Sequence, residues 1–189
     1  MVAIGTRRSF LVTGLAAAAS PGTLRAATVE AGGLLTQSWF LQSFLDLRED
    51  LEGAAAAGKR LAILVEQKGC PFCRDLHLVN FADPAVTAYI RERFEIVQLD
   101  LHGSREITDL DGAKYEEKVF ARRIAGQMTP VAIFLPARPE EVGGRPAHEA
   151  AVAKMPGYLP PGPFLALFRY VAEEAYRRES FEAYLRRAS

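Results

Sequence analysis

Cys70-Pro71-Phe72-Cys73 holds the only two cysteines of this 189-residue chain. The stretch follows Leu61-Ala62-Ile63-Leu64-Val65, a continuous apolar run typical of a strand that is buried on both faces. It precedes a segment with helical spacing of apolar residues. Pro71 suits the first position of a helix, because the N–H group that it lacks is not needed there. We therefore predict that the two cysteines lie where a buried strand gives way to a helix.

This position favours redox chemistry. At a helix N-terminus, unpaired N–H groups and the helix dipole stabilise a thiolate, which is the nucleophile in disulfide exchange. Cys73, one turn after Cys70, can then attack the mixed disulfide and release the product. Zinc would need further thiols or histidines, and haem attachment would need a histidine in place of Arg74. An inert structural pair stays open, although so short a loop constrains the unfolded chain little.

His77 adds an alternative outside redox catalysis. It follows Cys73 by four residues, so Cys70, Cys73 and His77 lie near one helical face. Two thiolates and an imidazole suit a soft metal such as Cu(I). The rival hypothesis is therefore a periplasmic copper-binding module that uses these three residues. If His77 binds no metal, we expect a partly exposed helix histidine without a ligand role.

The first 27 residues have the pattern of an export signal. Arg7 and Arg8 precede a short run that ends in four alanines, and small residues near Ala27 offer a cleavage site. The paired arginines indicate the twin-arginine (Tat) route. The run is shorter than the roughly 20 apolar residues that span a bilayer. We predict a Tat-type signal peptide at residues 1–27 and a periplasmic location, where disulfides persist; a surface helix and an uncleaved anchor are the alternatives.

The composition is that of one globular domain, predicted at residues 28–189. Apolar residues make up 49% of the chain, and the formal net charge is zero without a basic cluster, so nucleic acid is not an expected partner. Cleavage after residue 27 lowers the basic residues from 23 to 20 against 23 acidic ones, a formal charge of −3.

Helices and strands are predicted to alternate along this domain. Residues 28–36 are expected to form a flexible lead-in and residues 102–114 a loop, because both are polar or glycine-rich. Thr129-Pro130 directly precedes a strand, where proline is tolerated and can be cis. The periodicity predicts helices near 38–57, 71–81, 83–90, 115–124, 164–175 and 180–187, and strands at 60–66, 94–101, 131–135 and 147–155. Ser43 or Ser38 is expected to cap the first of these helices, and Asp83, followed by Pro84, the third.

This order, with the CxxC and Thr-Pro motifs, resembles the thioredoxin fold over about residues 38–178. The resemblance implies an α/β domain with a central mixed sheet of about four strands and helices on both faces, to which the spacing at 180–187 adds an extra C-terminal helix. It implies that Cys70 and Cys73 are catalytic, and that their disulfide is the redox group without a further cofactor or metal. It also implies that Thr129 and a cis Pro130 bind the client chain.

A narrower resemblance carries more specific implications. Glu66-Gln67-Lys68-Gly69-Cys70-Pro71-Phe72-Cys73, followed by His77 and later by Pro156-Gly157-Tyr158-Leu159, is similar to the exported thioredoxins of the sulfur-oxidation (Sox) system. That implies a periplasmic thiol–disulfide carrier, which we expect to act as a protein-disulfide reductase. Its clients would be cysteine-containing periplasmic proteins such as Sox carriers, and its electron donor a membrane thiol–disulfide transporter. An exposed Phe72 is expected to add to client binding.

The chain departs from cytoplasmic thioredoxins at two points. Those proteins bury an aspartate six residues before the first cysteine, where it helps to deprotonate the second; here that residue is Leu64. The nearest acid on the strand is Glu66, and we hypothesise that it takes over the proton relay; a solvated carboxylate at the strand end is the alternative. The second departure lies between the cysteines, where cytoplasmic thioredoxins have Gly-Pro and this chain has Pro-Phe. Pro-Phe lacks the polar donor of a histidine that could stabilise the thiolate, which favours a reductant.

Overall fold

The computed structural model describes Met1 and residues 28–188. In chain order, the strands of this part of the protein are β1 (Thr28–Ala31), β2 (Leu34–Gln37), β3 (Arg60–Glu66), β4 (Phe94–Asp100), β5 (Glu106–Thr108), β6 (Lys114–Glu116), β7 (Val131–Phe134) and β8 (Ala153–Pro156). Its α-helices are α1 (Leu47–Ala56), α2 (Pro71–Asp75), α3 (Pro84–Arg93), α4 (Glu117–Ala125), α5 (Ala147–Ala150), α6 (Pro161–Ala172) and α7 (Phe181–Ala188). A π-helical turn, Leu76–Asn80, continues α2.

A four-stranded mixed sheet lies at the centre, in the order β4-β3-β7-β8. β3 pairs in parallel with β4 and antiparallel with β7, and β8 pairs antiparallel with β7. Helices cover both faces, so the predicted fold class is confirmed. Because β3 is an inner strand of the sheet, the two cysteines that follow its C-terminal end lie near the middle of that end of the sheet.

The alternation of β3 explains its continuous apolar sequence. Leu61, Ile63 and Val65 point into a core shared with α1 and α4. Ala62 and Leu64 point into a second core on the opposite face, shared with the π-helical turn, α3 and α6. Successive strand residues face opposite sides of a sheet, so a strand covered on both faces needs no polar position.

The first predicted helix begins later than its sequence pattern suggested. Residues 38–46 are irregular, and α1 begins at Leu47 because the Asp46 side chain accepts hydrogen bonds from the N–H groups of Arg48 and Glu49. Ser43 and Ser38, the predicted caps, are not at the helix start. Asp83 caps α3 in the same manner, with Pro84 in the first helical position, as predicted.

Three other segments also differ from the sequence-based predictions. Residues 28–36, expected to be a flexible lead-in, form most of the antiparallel β1–β2 hairpin, because Gly32 and Gly33 supply the positive φ angles of its turn. The predicted loop 102–114 contains β5 and its pairing with β6. The strand predicted at 147–155 begins as the short helix α5 and becomes β8 only at Ala153.

The predicted signal peptide falls at residues 1–27, and all of it except Met1 lies outside the described residues. Within the part that the structure describes, none of the helices combines the length and the apolar character that crossing a bilayer requires.

Candidate active site

Cys70 and Cys73 occupy the start of α2. Cys70 is the N-cap residue, Pro71 takes the first helical position, and the N–H group of Cys73 donates to Cys70 Sγ at 3.1 Å. The two cysteines form a disulfide, with their Cα atoms 5.2 Å apart. Both are largely buried. The sequence therefore placed the pair correctly, at the junction of a central strand and a helix.

The segment before β7 lies beside this disulfide. The carbonyl oxygen of Thr129 is 3.6 Å from Cys70 Sγ, and the Thr129–Pro130 peptide bond is cis. Residues 59 positions apart in sequence thus meet at the redox pair. Whether Thr129 and Pro130 bind a client chain stays a prediction.

Phe72 lies on the surface between the two cysteines, and 55% of it is exposed. Its ring stacks on Tyr158, with centroids 6.1 Å apart and an interplanar angle of 22°. The Tyr158 hydroxyl donates to Asn80 Oδ1, and Asn80 donates to the carbonyl of Leu159. Partial burial, and to a lesser degree the carboxylate of Asp75, raise the pKa of Tyr158. Tyr158 therefore remains a hydrogen-bond donor and holds one side of the aromatic surface in place.

Glu66, the last residue of β3, is buried rather than solvated: only 1% of it is exposed. Its Oε2 atom is 2.9 Å from His77 Nε2 and accepts a second hydrogen bond, of 2.6 Å, from Gln98 Nε2. Glu66 lies two residues after Leu64 and therefore on the same face of the strand. The carboxylate of Glu66 therefore lies on the same strand face as residue 64, the position at which cytoplasmic thioredoxins have a buried aspartate. It is two residues closer to Cys70.

The burial of His77 differs from the sequence-based expectation. We expected a partly exposed helix residue, but only 1% of His77 is exposed. Nδ1 lies 3.1 Å from Gln37 Nε2, and Nε2 faces Glu66. Both ring nitrogens are therefore engaged in hydrogen bonds, and neither is available to a metal in this arrangement. Among the described residues, no group of three or more His, Cys, Asp or Glu side chains is placed to hold a metal ion.

Gln37 and Gln98 are site residues that the sequence analysis missed. Gln37 ends β2, and Gln98 also donates to the carbonyl of Leu35 in that strand, at 2.7 Å. Gln37 contacts His77 across 40 positions of sequence, so no local pattern points to this contact. For Glu66 the sequence does hold a signal. Side chains alternate along β3, so the burial of Leu64 indicates that Glu66, two residues later, also faces inward.

A cavity of about 480 Å³ lies beside the two cysteines. Its walls include both cysteines, Glu66 and His77, and the β1–β2 hairpin closes one side through Leu34 and Leu35. Lys68 and Arg74, both exposed, add positive charge at the rim.

The chain is similar to a known protein family and to solved structures. A family model described as a thioredoxin-like domain matches residues 47–172. A search of curated proteins finds no match. Among solved structures, a thioredoxin-fold protein from Helicobacter pylori is similar with a TM-score of 0.52 at 20% identity, over 68% of this chain and 83% of that chain. A thioredoxin from Thermus thermophilus gives a TM-score of 0.48 at 22% identity, over 67% of this chain and 83% of that one.

The match spans both cysteines, the Thr129–Pro130 segment, the whole four-stranded sheet and most of the helices around it. Sequence, topology and the geometry of the cysteine pair thus agree, and this chain belongs to the thioredoxin-like domain family.

Proposed function

We propose that this protein is an exported thiol–disulfide oxidoreductase whose Cys70–Cys73 dithiol reduces disulfides in client proteins. The observation that carries the proposal is the cysteine pair at disulfide distance, at the start of α2 in a thioredoxin-like domain. Such a pair can store two electrons as a dithiol without a separate cofactor.

The reaction divides into two exchanges. Cys70 attacks a client disulfide as a thiolate; the Cys70–client bond forms, the client disulfide breaks, and one client sulfur leaves as a thiolate. Cys73, as a thiolate, then attacks Cys70 Sγ, which forms the Cys70–Cys73 disulfide and releases the second client sulfur. The dithiol loses two electrons and the client disulfide gains them, while the released thiolates take protons from water.

In this proposal Glu66 is the base that accepts the proton of the Cys73 thiol. The carboxylate is buried and lines the same cavity as Cys73. A nearby base helps the second exchange, because a thiol must lose its proton before it attacks.

The direction of electron flow can be measured directly. We expect the purified protein without residues 1–27, titrated against a glutathione series, to show a midpoint well below about −200 mV, as in reducing members of this chemistry. The fraction of protein thiols at each ratio would be read by alkylation and mass spectrometry. A midpoint near −120 mV would make the protein an oxidant, and the absence of reversible oxidation would exclude disulfide exchange altogether.

The location and partners of the protein belong to the same proposal. The twin arginines at Arg7 and Arg8 support export to the periplasm. The resemblance around the CxxC motif supports cysteine-containing clients such as Sox-type sulfur carriers, with a membrane thiol–disulfide transporter as the electron donor. Fusion of residues 1–27 to a reporter that is active only after Tat export would test the location.

Replacing Phe72 with alanine is expected to raise the KM for a protein client about five- to tenfold, because burial of its exposed ring against a client contributes roughly 1–1.4 kcal/mol. The turnover of a small disulfide such as hydroxyethyl disulfide should stay unchanged, since so small a substrate does not cover the Phe72–Tyr158 surface. Steady-state kinetics with both substrates would measure the difference.

Phe44→Ala provides the matched control, because Phe44 is fully exposed in the irregular segment before α1. It should leave both KM values unchanged. Equal KM values for the protein client in wild type and Phe72→Ala would show that Phe72 is not part of the docking surface.

A further inference from the structure

The buried polar cluster beside the cysteines joins four separate elements. Gln37 comes from β2, Glu66 from β3, Gln98 from β4 and His77 from the π-helical turn after α2. Replacing both partners of a buried hydrogen bond by apolar groups of the same shape can be nearly neutral, so stability alone does not account for such a cluster. The cluster also lies against the candidate active site, which points to a role in the reaction.

The hydrogen bonds define where protons reside in the cluster. An amide nitrogen can only donate, so Gln37 Nε2 makes His77 Nδ1 an acceptor, and the ring proton is on Nε2. His77 Nε2 therefore donates to Glu66 Oε2, which also accepts from Gln98. Glu66 Oε1 is buried and has no hydrogen-bond partner among the described residues. One oxygen of the carboxylate is thus held by two donors, while the other can accept a proton.

The cavity supplies a route from this oxygen to the thiol. Cys73 and His77 are one helical turn apart, and both line the cavity with Glu66. The lining is mostly apolar but includes the polar side chains of Glu66, Gln67 and Lys68, and a space of about 480 Å³ accommodates water molecules. Water in this space would carry a proton between Cys73 and the Glu66 carboxylate.

Few other charged groups face the pair. The imidazole packs against Phe40 and Phe81, with ring centroids 5.8 and 5.5 Å away. Asp100 pairs with Glu66 in the β3–β4 register, but its carboxylate accepts from the N–H group of His102 in an exposed turn.

From α2 and its preceding turn, the ionisable groups that reach the cavity are the two cysteines and the rim cations Lys68 and Arg74, whose exposed charges are screened by solvent. From the hairpin side, the cavity is lined by Gly33, Leu34 and Leu35, which do not ionise. His77 is therefore the ionisable side chain in direct contact with Glu66.

We propose that His77 is a positioning residue: held by Gln37 of the β1–β2 hairpin, it fixes the Glu66 carboxylate so that Oε1 takes the proton of Cys73 in the second exchange. The inference rests on the proposed function and adds two elements to it, an imidazole that acts through Glu66 and a hairpin that is part of the active site. The proton moves from Cys73 Sγ to Glu66 Oε1 and later to solvent, so no further reactant is required.

The second exchange can be observed separately with a nitrobenzoate disulfide whose leaving thiolate is coloured. Attack by Cys70 releases one thiolate, and attack by Cys73 on the mixed disulfide releases the other. In Glu66→Gln we expect the second release at neutral pH to slow at least about tenfold and to follow the ionisation of an ordinary thiol, near pH 8.5. His77→Leu should shift the second release in the same direction, and His77→Gln should restore most of the rate, because its amide can still donate to Glu66.

The double variant distinguishes positioning from a general structural effect. If His77 acts through Glu66, His77→Leu should slow the second release no further in a Glu66→Gln background, whereas independent effects would multiply. Gln37→Leu should lower the rate of the second release with the same pH dependence as His77→Leu. The first release should stay within about twofold of wild type in all variants, and His148→Gln, remote in the fold, serves as the histidine control.

Several results would overturn the proposal. One is an unchanged pH profile of the second release in His77→Leu; another is an equal slowing of both releases, which would indicate a structural role. If His77→Leu does not fold, as judged by its thermal transition, the pH profiles of the second release in His77→Gln and Glu66→Gln are compared instead. Equal pH profiles for these two variants would also contradict the proposal. A wild-type protein that releases only one thiolate would instead contradict the proposed function, and this inference with it.

Discussion

Replacing Cys73 with serine is expected to leave client proteins covalently attached to Cys70. The first exchange needs only the thiolate of Cys70, whereas release of the client needs a second sulfur nucleophile at residue 73. A serine hydroxyl at that position does not attack a disulfide, so the mixed disulfide accumulates. Non-reducing electrophoresis and mass spectrometry of the Cys73→Ser protein, produced in its host cells, would detect it, and a reductant should release the client.

Cys70→Ser is the matched control, since it removes the attacking sulfur and keeps Cys73. It should capture no client and should lower disulfide-reductase turnover by at least about a thousandfold, the scale on which loss of a nucleophile acts. Capture by Cys70→Ser but not by Cys73→Ser would reverse the assigned roles. No capture by Cys73→Ser, together with no reversible oxidation of the wild-type pair, would contradict the proposed chemistry.

The parts of the fold that could be predicted are those with local signals. The continuous apolar run of β3 and the proline after Cys70 identified a strand–helix junction from fewer than fifteen residues. Asp83 with Pro84 identified the start of α3 in the same way. In each case, the residues that decide the structure are neighbours in sequence.

The incorrect predictions arose where distant contacts decide the structure. The β1–β2 hairpin was not predicted although Gly32 and Gly33 indicate a turn, because its strands are short and a hydrogen bond from the distant Gln98 helps to hold it. The start of α1 was misplaced because Phe44 has helical spacing in sequence and yet points into solvent.

The candidate site also contains residues that local motifs indicate and residues that only the tertiary structure brings together. Cys70, Cys73, Phe72, Thr129 and Pro130 could be named from motifs, and the structure brings them to one region. The burial of His77 could not be predicted, because its environment comes from β2, β3 and the ring of Phe81 rather than from its own helix. The network behind the cysteines is therefore a product of tertiary structure.

That network rests on an aromatic cluster around Phe81. Only 1% of Phe81 is exposed, and its ring lies 5.5 Å from Trp39, 5.4 Å from Phe40, 5.5 Å from Phe164 and 5.5 Å from the imidazole of His77. Three of these contacts are edge-to-face, a geometry that adds to the effect of apolar burial. Phe81 therefore connects the core beneath α6 to the polar pair beside the cysteines.

Phe81→Ala is expected to lower the free energy of unfolding by about 3–5 kcal/mol, because it removes a buried ring and leaves a cavity that the surrounding rings fill only in part. For a domain of ordinary stability this is a large fraction of the total. Urea unfolding, followed by the fluorescence of Trp39, would measure it. Phe44→Ala, which truncates a fully exposed phenylalanine, should change stability by less than about 0.5 kcal/mol. A cost below about 1 kcal/mol for Phe81→Ala would show that the aromatic cluster does not support the site, and that the Glu66–His77 pair is held by its hydrogen bonds alone.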